Sequence, residues 1–231
     1  MRDEAGGGLI VDSNGPAGTA MECSSLYGFL AAVYRTEPTA ELLRWIRDPD
    51  SLDLLADTGV DLGTSFADHA EDELIELLAV EYTRLFIGPG NHVPPYAAVH
   101  LGGEGALLWG RPTVWVKKYI EAAGFEYRPD YHDLPDHISA ELEFMREITA
   151  REAAALEKRD PAEAGQLRAV GSEFVASHLS LWIPKFCDLV IDRAELTFYR
   201  GMAALTKDFI ESERANTVDG RESENLERRE I

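Results

Sequence analysis

A carboxylate interrupts an apolar helical stripe. Leu74, Leu78 and Leu85 stand at i, i+4 and i+11 of one face, and the i+7 position is Glu81. A buried charge there costs roughly several kcal/mol unless it is paired, hydrogen-bonded or protonated. Glu81 is therefore half of a buried ion pair, a cap for loop amides, or a charge facing a ligand. Glu141 similarly borders the stripe formed by Ile138, Leu142 and Met145. Two helical carboxylates could begin a di-metal centre, but that chemistry takes Glu-x-x-His ligands from two helices. No Glu-x-x-His occurs in the chain. His92, His100, His132 and His137 could be drawn into a metal-dependent hydrolase, yet their spacings match no closed zinc motif and no cysteine is near them in sequence. A serine hydrolase would need a G-x-S-x-G elbow after a strand, which is missing. Gly88-Pro89-Gly90 and Gly102-Gly103-x-Gly105 hint at phosphate binding and so at a nucleotide-binding (GTP) switch, but neither is a Walker sequence or follows a strand. The residues complete no catalytic site, and no metal or cofactor is expected.

The segment Leu85 to Gly103 is the other candidate. Its nineteen residues carry no formal charge in a chain that is 28% charged, and seven of them are Gly or Pro. That composition predicts a long irregular loop, and such loops inside compact domains are usually functional or mobile. Val93-Pro94-Pro95-Tyr96 should be extended and present Tyr96 from a stiff backbone, either outward to a ligand or inward as a strap over the core.

The elements that must position these groups all read as helices. Apolar residues recur with the helical period almost everywhere, and no run alternates as a strand would. Helices are expected from about Met21 to Tyr34, from Pro38 through Ile46, near Leu52 to Ala56, from Asp68 to Phe86 and from Leu107 to Ala122. Asp133-x-x-Asp136, with Pro135 between, resembles a cap for a helix that runs to about Lys158. Asp160-Pro161 starts another, which Pro184 should kink or stop. Phe198, Met202, Leu205 and Phe209 mark the last. Expected boundaries are a flexible leader over 1–20, an all-α single domain over 21–213 with about eight or more helices, and a charged frayed tail over 214–231. The connection Glu157 to Ala162 could act as a hinge for exchange between copies.

Composition narrows the partners. Forty-two acids against 22 bases give a net charge of -20. Such a chain repels phosphate backbones and anionic lipid, so nucleic acid and peripheral membrane binding are excluded without a basic patch, and none is present. No stretch of eighteen apolar residues predicts a membrane span. Cys23 and Cys187, far apart and without C-x-x-C spacing, are read as free buried thiols of a cytoplasmic protein.

Three blocks together resemble the TorD/DmsD family of redox-enzyme maturation chaperones, related to the NarJ type. Glu81-Tyr82-x-x-Leu85-Phe86-x-Gly88-Pro89 followed by Pro94-Pro95-Tyr96-x-x-Val99 is similar to the family's loop signature. Pro135-Asp136-His137-Ile138-x-x-Glu141-Leu142-Glu143-Phe144-Met145 is similar to its central helix. His178-Leu179-x-x-Trp182-x-Pro184-x-Phe186 and Phe198-Tyr199-x-x-Met202-Ala203-x-Leu205 are similar to its last helices. Ala98 and His100 depart from the pattern, where the family has a serine and a tyrosine.

The resemblance implies a TorD-like multi-helix bundle without catalytic chemistry. Such a protein binds the twin-arginine signal peptide and the apo-subunit of a molybdopterin-containing oxidoreductase until cofactor insertion, and acts as a monomer or domain-swapped homodimer. It implies signal-peptide binding by Leu85, Phe86, Pro95, Tyr96, Asp136 and His137, supported by Glu81 and Tyr82. Asp136 and Glu141 are expected to meet the two guanidinium groups, because carboxylates accept Arg forks bidentately.

Overall fold

The computed structural model describes residues 15–60, 62–63, 66, 68–103, 108–127 and 131–227, with side chains as far as 217. The described residues form α1 (Pro16–Arg35), α2 (Ala40–Ile46), α3 (Pro49–Asp57), α4 (Glu71–Tyr82), α5 (Ala97–Leu101), α6 (Arg111–Ala122), α7 (Ile138–Glu157), α8 (Pro161–Phe174), α9 (Ser180–Arg193) and α10 (Thr197–Glu227). Single π-turns continue α4 over Thr83–Ile87 and join α8 to α9 over Val175–Leu179. Among the described residues no strand occurs, only one isolated bridge between Tyr96 and His137.

Local chemistry sets several starts. Thr39, Asp48 and Asp160 each accept an amide hydrogen bond at their helix N-terminus, and Pro49 and Pro161 follow the latter two. Proline costs nothing there because its missing N–H would have had no intrahelical partner. Pro16 does the same for α1, which begins five residues before Met21. The last helix runs on through Glu227, well beyond Glu213. Residues 1–14 of the expected leader and 228–231 of the expected tail lie outside the described residues.

Packing overrules the sequence at Pro184. This residue lies inside α9, which continues to Arg193. The missing hydrogen bond costs about 3 kcal/mol. Trp182, Ile183, Phe186 and Cys187 around it are fully buried, and each such side chain returns about 1.5–3 kcal/mol. The continuous helical run Pro161–Arg193 reaches a mean hydropathy of 1.3 over eighteen residues, and half of that window is buried inside the protein. Its apolarity serves the core of the bundle.

α1 lies along α7, α7 packs beside α8, and α9 packs along α10. An aromatic cluster ties the layers: Phe86 meets Tyr34, Tyr82, Phe186 and Tyr199 at ring separations of 5.0 to 6.0 Å. Cys187 is buried, whereas Cys23 is only half-buried; both are free thiols. Burial, reinforced by Glu213, pushes the Cys23 thiol up to about 12.

Candidate functional site

The uncharged segment is more ordered than its composition suggests. It opens as the π-turn ending at Ile87, crosses the surface as an extended strap, and closes in the short helix α5. Gly88 turns the chain with φ 84, and a Cβ there would come 2.9 Å from the His92 ring. The strap is pinned from beneath. Val93 N–H donates to Leu85 C=O at 2.6 Å, and Arg193 donates to the carbonyls of Asn91 and His92 at 3.0 Å. His100 donates to Pro94 C=O at 2.8 Å while its ring stacks on Trp182. The histidine that replaces the expected tyrosine is thus a structural clasp, and burial holds its pKa below the usual imidazole range.

The strap then pairs with the entry to α7. Ala97 N–H donates to Asp136 C=O at 3.0 Å, and Ile138 N–H donates to Pro95 C=O at 2.9 Å. Tyr96 stands edge-on to His137 with ring centroids 5.1 Å apart, and its hydroxyl donates to Asp133 Oδ1 at 3.0 Å. Pro95 and Tyr96, far from Asp136 and His137 in sequence, therefore form one junction with them.

His137, not Asp136, caps α7. Its Nδ1 accepts the Ser139 N–H at 3.1 Å and the Ser139 hydroxyl at 2.7 Å. That leaves the neutral ring's proton on Nε2, which lies 3.9 Å from Asp133 Oδ2. Burial lowers His137 to about 4, with Asp133 opposing. Asp136 is buried and serves α5 instead: its Oδ2 accepts the Ala98 N–H at 2.8 Å. Its Oδ1 is buried without a hydrogen-bond partner. Burial raises the Asp136 pKa, and the Ala98 amide and nearby Thr113 hydroxyl oppose that rise.

The other sequence candidates stand behind this junction. Leu85 and Phe86 are 1% and 5% exposed and belong to the core. Tyr82 is buried and donates to Tyr34 C=O at 2.9 Å. Glu81 is paired in a fork with Arg84, at 2.8 and 3.1 Å, and accepts the N–H groups of Glu195 and Leu196. It caps the entry to α10. Glu141 has no exposed surface and both of its oxygens are committed, one to His178 at 2.7 Å and the other to Trp182 at 3.0 Å. In this conformation a guanidinium has no path to it, because the π-turn and α9 close over the carboxylate.

The histidines do not converge. His92 bonds Gly90 C=O, and His100 and His137 are committed as above. Among the described residues no group of three or more His, Cys, Asp or Glu could hold a metal ion. Gly102 ends α5 and Gly103 follows with φ 71, while Gly105 lies outside the described residues.

A cavity of about 1050 Å³ lies between the end of α6, residues 124–127 and 131–133, and α7, and Asp133 connects its wall to the Tyr96 hydroxyl. Phe125, Tyr127, Tyr131 and Phe144 supply its aromatic surface, and Glu126, Asp133, Glu143 and Glu147 its carboxylates. Arg35, Arg146 and Arg151 also line it, and the Arg151 guanidinium sits 3.9 Å over the Phe125 ring. Sequence reasoning missed this groove. The available signal was Glu143, Arg146 and Glu147 at i, i+3 and i+4 on one helix face, beside Asp133, which local pattern marks only as a cap. Aromatic surface with carboxylates at its walls suits a cationic, partly apolar segment.

Comparison with known proteins follows the same outline. The nitrate reductase delta subunit family matches residues 53–188. The chaperone protein TorD of Photobacterium profundum is 31% identical over 148 residues, which are 63% of this chain and 65% of that protein's length. The Tat proofreading chaperone DmsD of Salmonella typhi is 27% identical over 197 residues, 82% of this chain and 84% of that one. In fold, the chain is similar to a solved structure of a redox enzyme maturation protein from Archaeoglobus fulgidus, with a TM-score of 0.51 at 22% identity, over 82% of this chain and 93% of that one.

Proposed function

We propose, from the premise that the chain belongs to the nitrate reductase delta subunit family with TorD and DmsD chaperones among its relatives, that it is a chaperone for an exported redox subunit. It binds the twin-arginine signal peptide and apo form of a molybdopterin-containing oxidoreductase in the cytoplasm and supports cofactor insertion before export. No catalytic step is assigned to it.

The observation that carries the reading is Asp133, which accepts the Tyr96 hydroxyl of the junction and also lines the acid-walled aromatic groove. A twin-arginine signal combines two guanidinium groups with an apolar segment. Carboxylates of Asp133, Glu143 and Glu147 offer the acceptors, and the aromatic wall and Tyr96 offer apolar contact. Pro95, Asp136 and His137 shape the junction, while Leu85, Phe86, Tyr82, Glu81 and Glu141 hold it from behind. A net charge of -20 steers such a peptide toward the surface over a Debye length.

Calorimetric titration with signal peptides of oxidoreductases encoded beside this gene tests the reading. Saturable binding is expected, weakened by added salt and by about tenfold or more in Tyr96→Ala, provided the variant is folded. No measurable binding to any of these peptides would refute it.

A further inference from the structure

Two carboxylates of the groove, Glu143 and Glu147, already hold arginines of the chain itself. Glu143 lies between two arginines. Its Oε1 accepts from Arg146 Nε at 2.9 Å and Nη2 at 2.7 Å, and its Oε2 accepts from Arg35 Nη2 at 3.0 Å. Arg146 also bonds Glu147.

The two guanidinium groups differ in how firmly they are held. The Arg146 stem lies across the bare backbone of Gly28, where an added Cβ would come 2.7 Å from its Cδ, and its head is shared by two carboxylates. Arg146 is part of the wall. Arg35 is the last residue of α1, its side chain is 55% exposed, and one ion pair with Glu143 ties it to the groove. Exposed pairs of this kind are worth about 0–1 kcal/mol, so Arg35 can be exchanged for another guanidinium at little cost.

We infer that Arg35 is an internal stand-in for an arginine of the bound peptide, occupying Glu143 Oε2 until that arginine displaces it. The inference rests on the signal-peptide reading above and adds to it a regulatory contact and a docking oxygen. A chain this acidic attracts many cations. A resident guanidinium on the docking carboxylate discourages isolated lysines and salt, and yields to a ligand that brings a planar fork together with apolar contact in the groove. Glu147, one turn further along α7, then stands about 6 Å away along the helix axis for the second arginine.

The test is a thermodynamic cycle, using a synthetic peptide with two consecutive arginines followed by an apolar segment. Arg35→Gln is expected to bind it about two- to fivefold more tightly than the natural chain. Lys207→Gln makes the same change in net charge outside the groove, where the ammonium pairs with Asp188, and should give a smaller gain. In a Glu143→Gln background the Arg35→Gln gain should fall to that of Lys207→Gln, since no displaced carboxylate remains and only the change in net charge is left. Equal gains in Arg35→Gln and Lys207→Gln, or an Arg35→Gln gain undiminished by Glu143→Gln, would overturn the stand-in role and leave the chaperone reading intact. Absence of binding by the natural chain would overturn both.

Discussion

Glu141 Oε1 stands 2.7 Å from His178 Nε2, and both side chains are buried. The pair ties the middle of α7 to the π-turn Val175–Leu179, and Trp182 completes it from α9 by donating to the other carboxylate oxygen. Burial drives the Glu141 pKa up, and His178 and Trp182 pull it back. Two of the three sequence blocks are thus joined by a carboxylate that organises the core. Glu141→Ala leaves two buried donors without an acceptor and is expected to lower stability by about 3–5 kcal/mol in urea unfolding. Glu141→Gln, which retains acceptor capacity, should cost less. A loss under about 1 kcal/mol for the alanine variant would contradict the structural role.

His137 gives the fold a pH dependence of determinable sign. Its folded pKa is lowered from 6.5 to about 4, first by burial. The unfolded chain therefore binds the proton at a higher pH than the folded one. Its contribution is present above about pH 6.5 and is lost as pH falls toward 4, by up to about 3 kcal/mol. His137→Asn keeps a side-chain acceptor at the α7 N-cap and removes the titration. Unfolding curves measured from about neutral pH down to about pH 4.5 should fall less steeply for this variant than for the natural chain. Parallel curves would show that His137 does not titrate in this window.

Glu81 separates support from contact. It is 4% exposed and satisfies Arg84 together with the amides of Glu195 and Leu196. Removing one partner of such a network costs about 3 kcal/mol or more, since the donors remain. Glu81→Ala should show that loss in thermal or urea unfolding, while the folded fraction keeps its peptide affinity. A variant of unchanged stability with lost binding would place Glu81 in the groove.

Gly88 should tolerate no side chain. Its φ of 84 is unfavourable for other residues, and an added Cβ meets the His92 ring at 2.9 Å. Gly88→Ala is expected to cost about 1–3 kcal/mol. The same variant should loosen the strap, seen as faster amide exchange at Val93, whose N–H bonds Leu85 C=O.

Much of the architecture is legible in the sequence because it depends on local periodicity and caps. The stripes on α1, α7 and α10 face the core as their spacing requires, and Pro161 opens a helix beside Asp160, whereas the helix expected near Leu52 already starts at Pro49. Pro184 departs from its local reading because a penalty of about 3 kcal/mol is outweighed by burial that only the assembled bundle supplies. The strap is legible as an unusual segment, but not as a π-turn, an extended crossing and a short helix. Its hydrogen bonds come from Arg193, His100 and the 134–138 segment, most of them distant in sequence.

The sequence by itself determined an all-helical chain of strong negative charge, the family resemblance, and the place of Tyr96 and His137 in its motifs. Tertiary structure alone decided which carboxylates face a groove. Glu81, Asp136 and Glu141 share one residue class with Asp133, Glu143 and Glu147, and helical spacing does not say how many neighbours close over each. The first three are enclosed by α9, α10 and the α5 entry, while the last three line open space. A carboxylate becomes a docking group only where the fold leaves it access to solvent and an aromatic wall beside it.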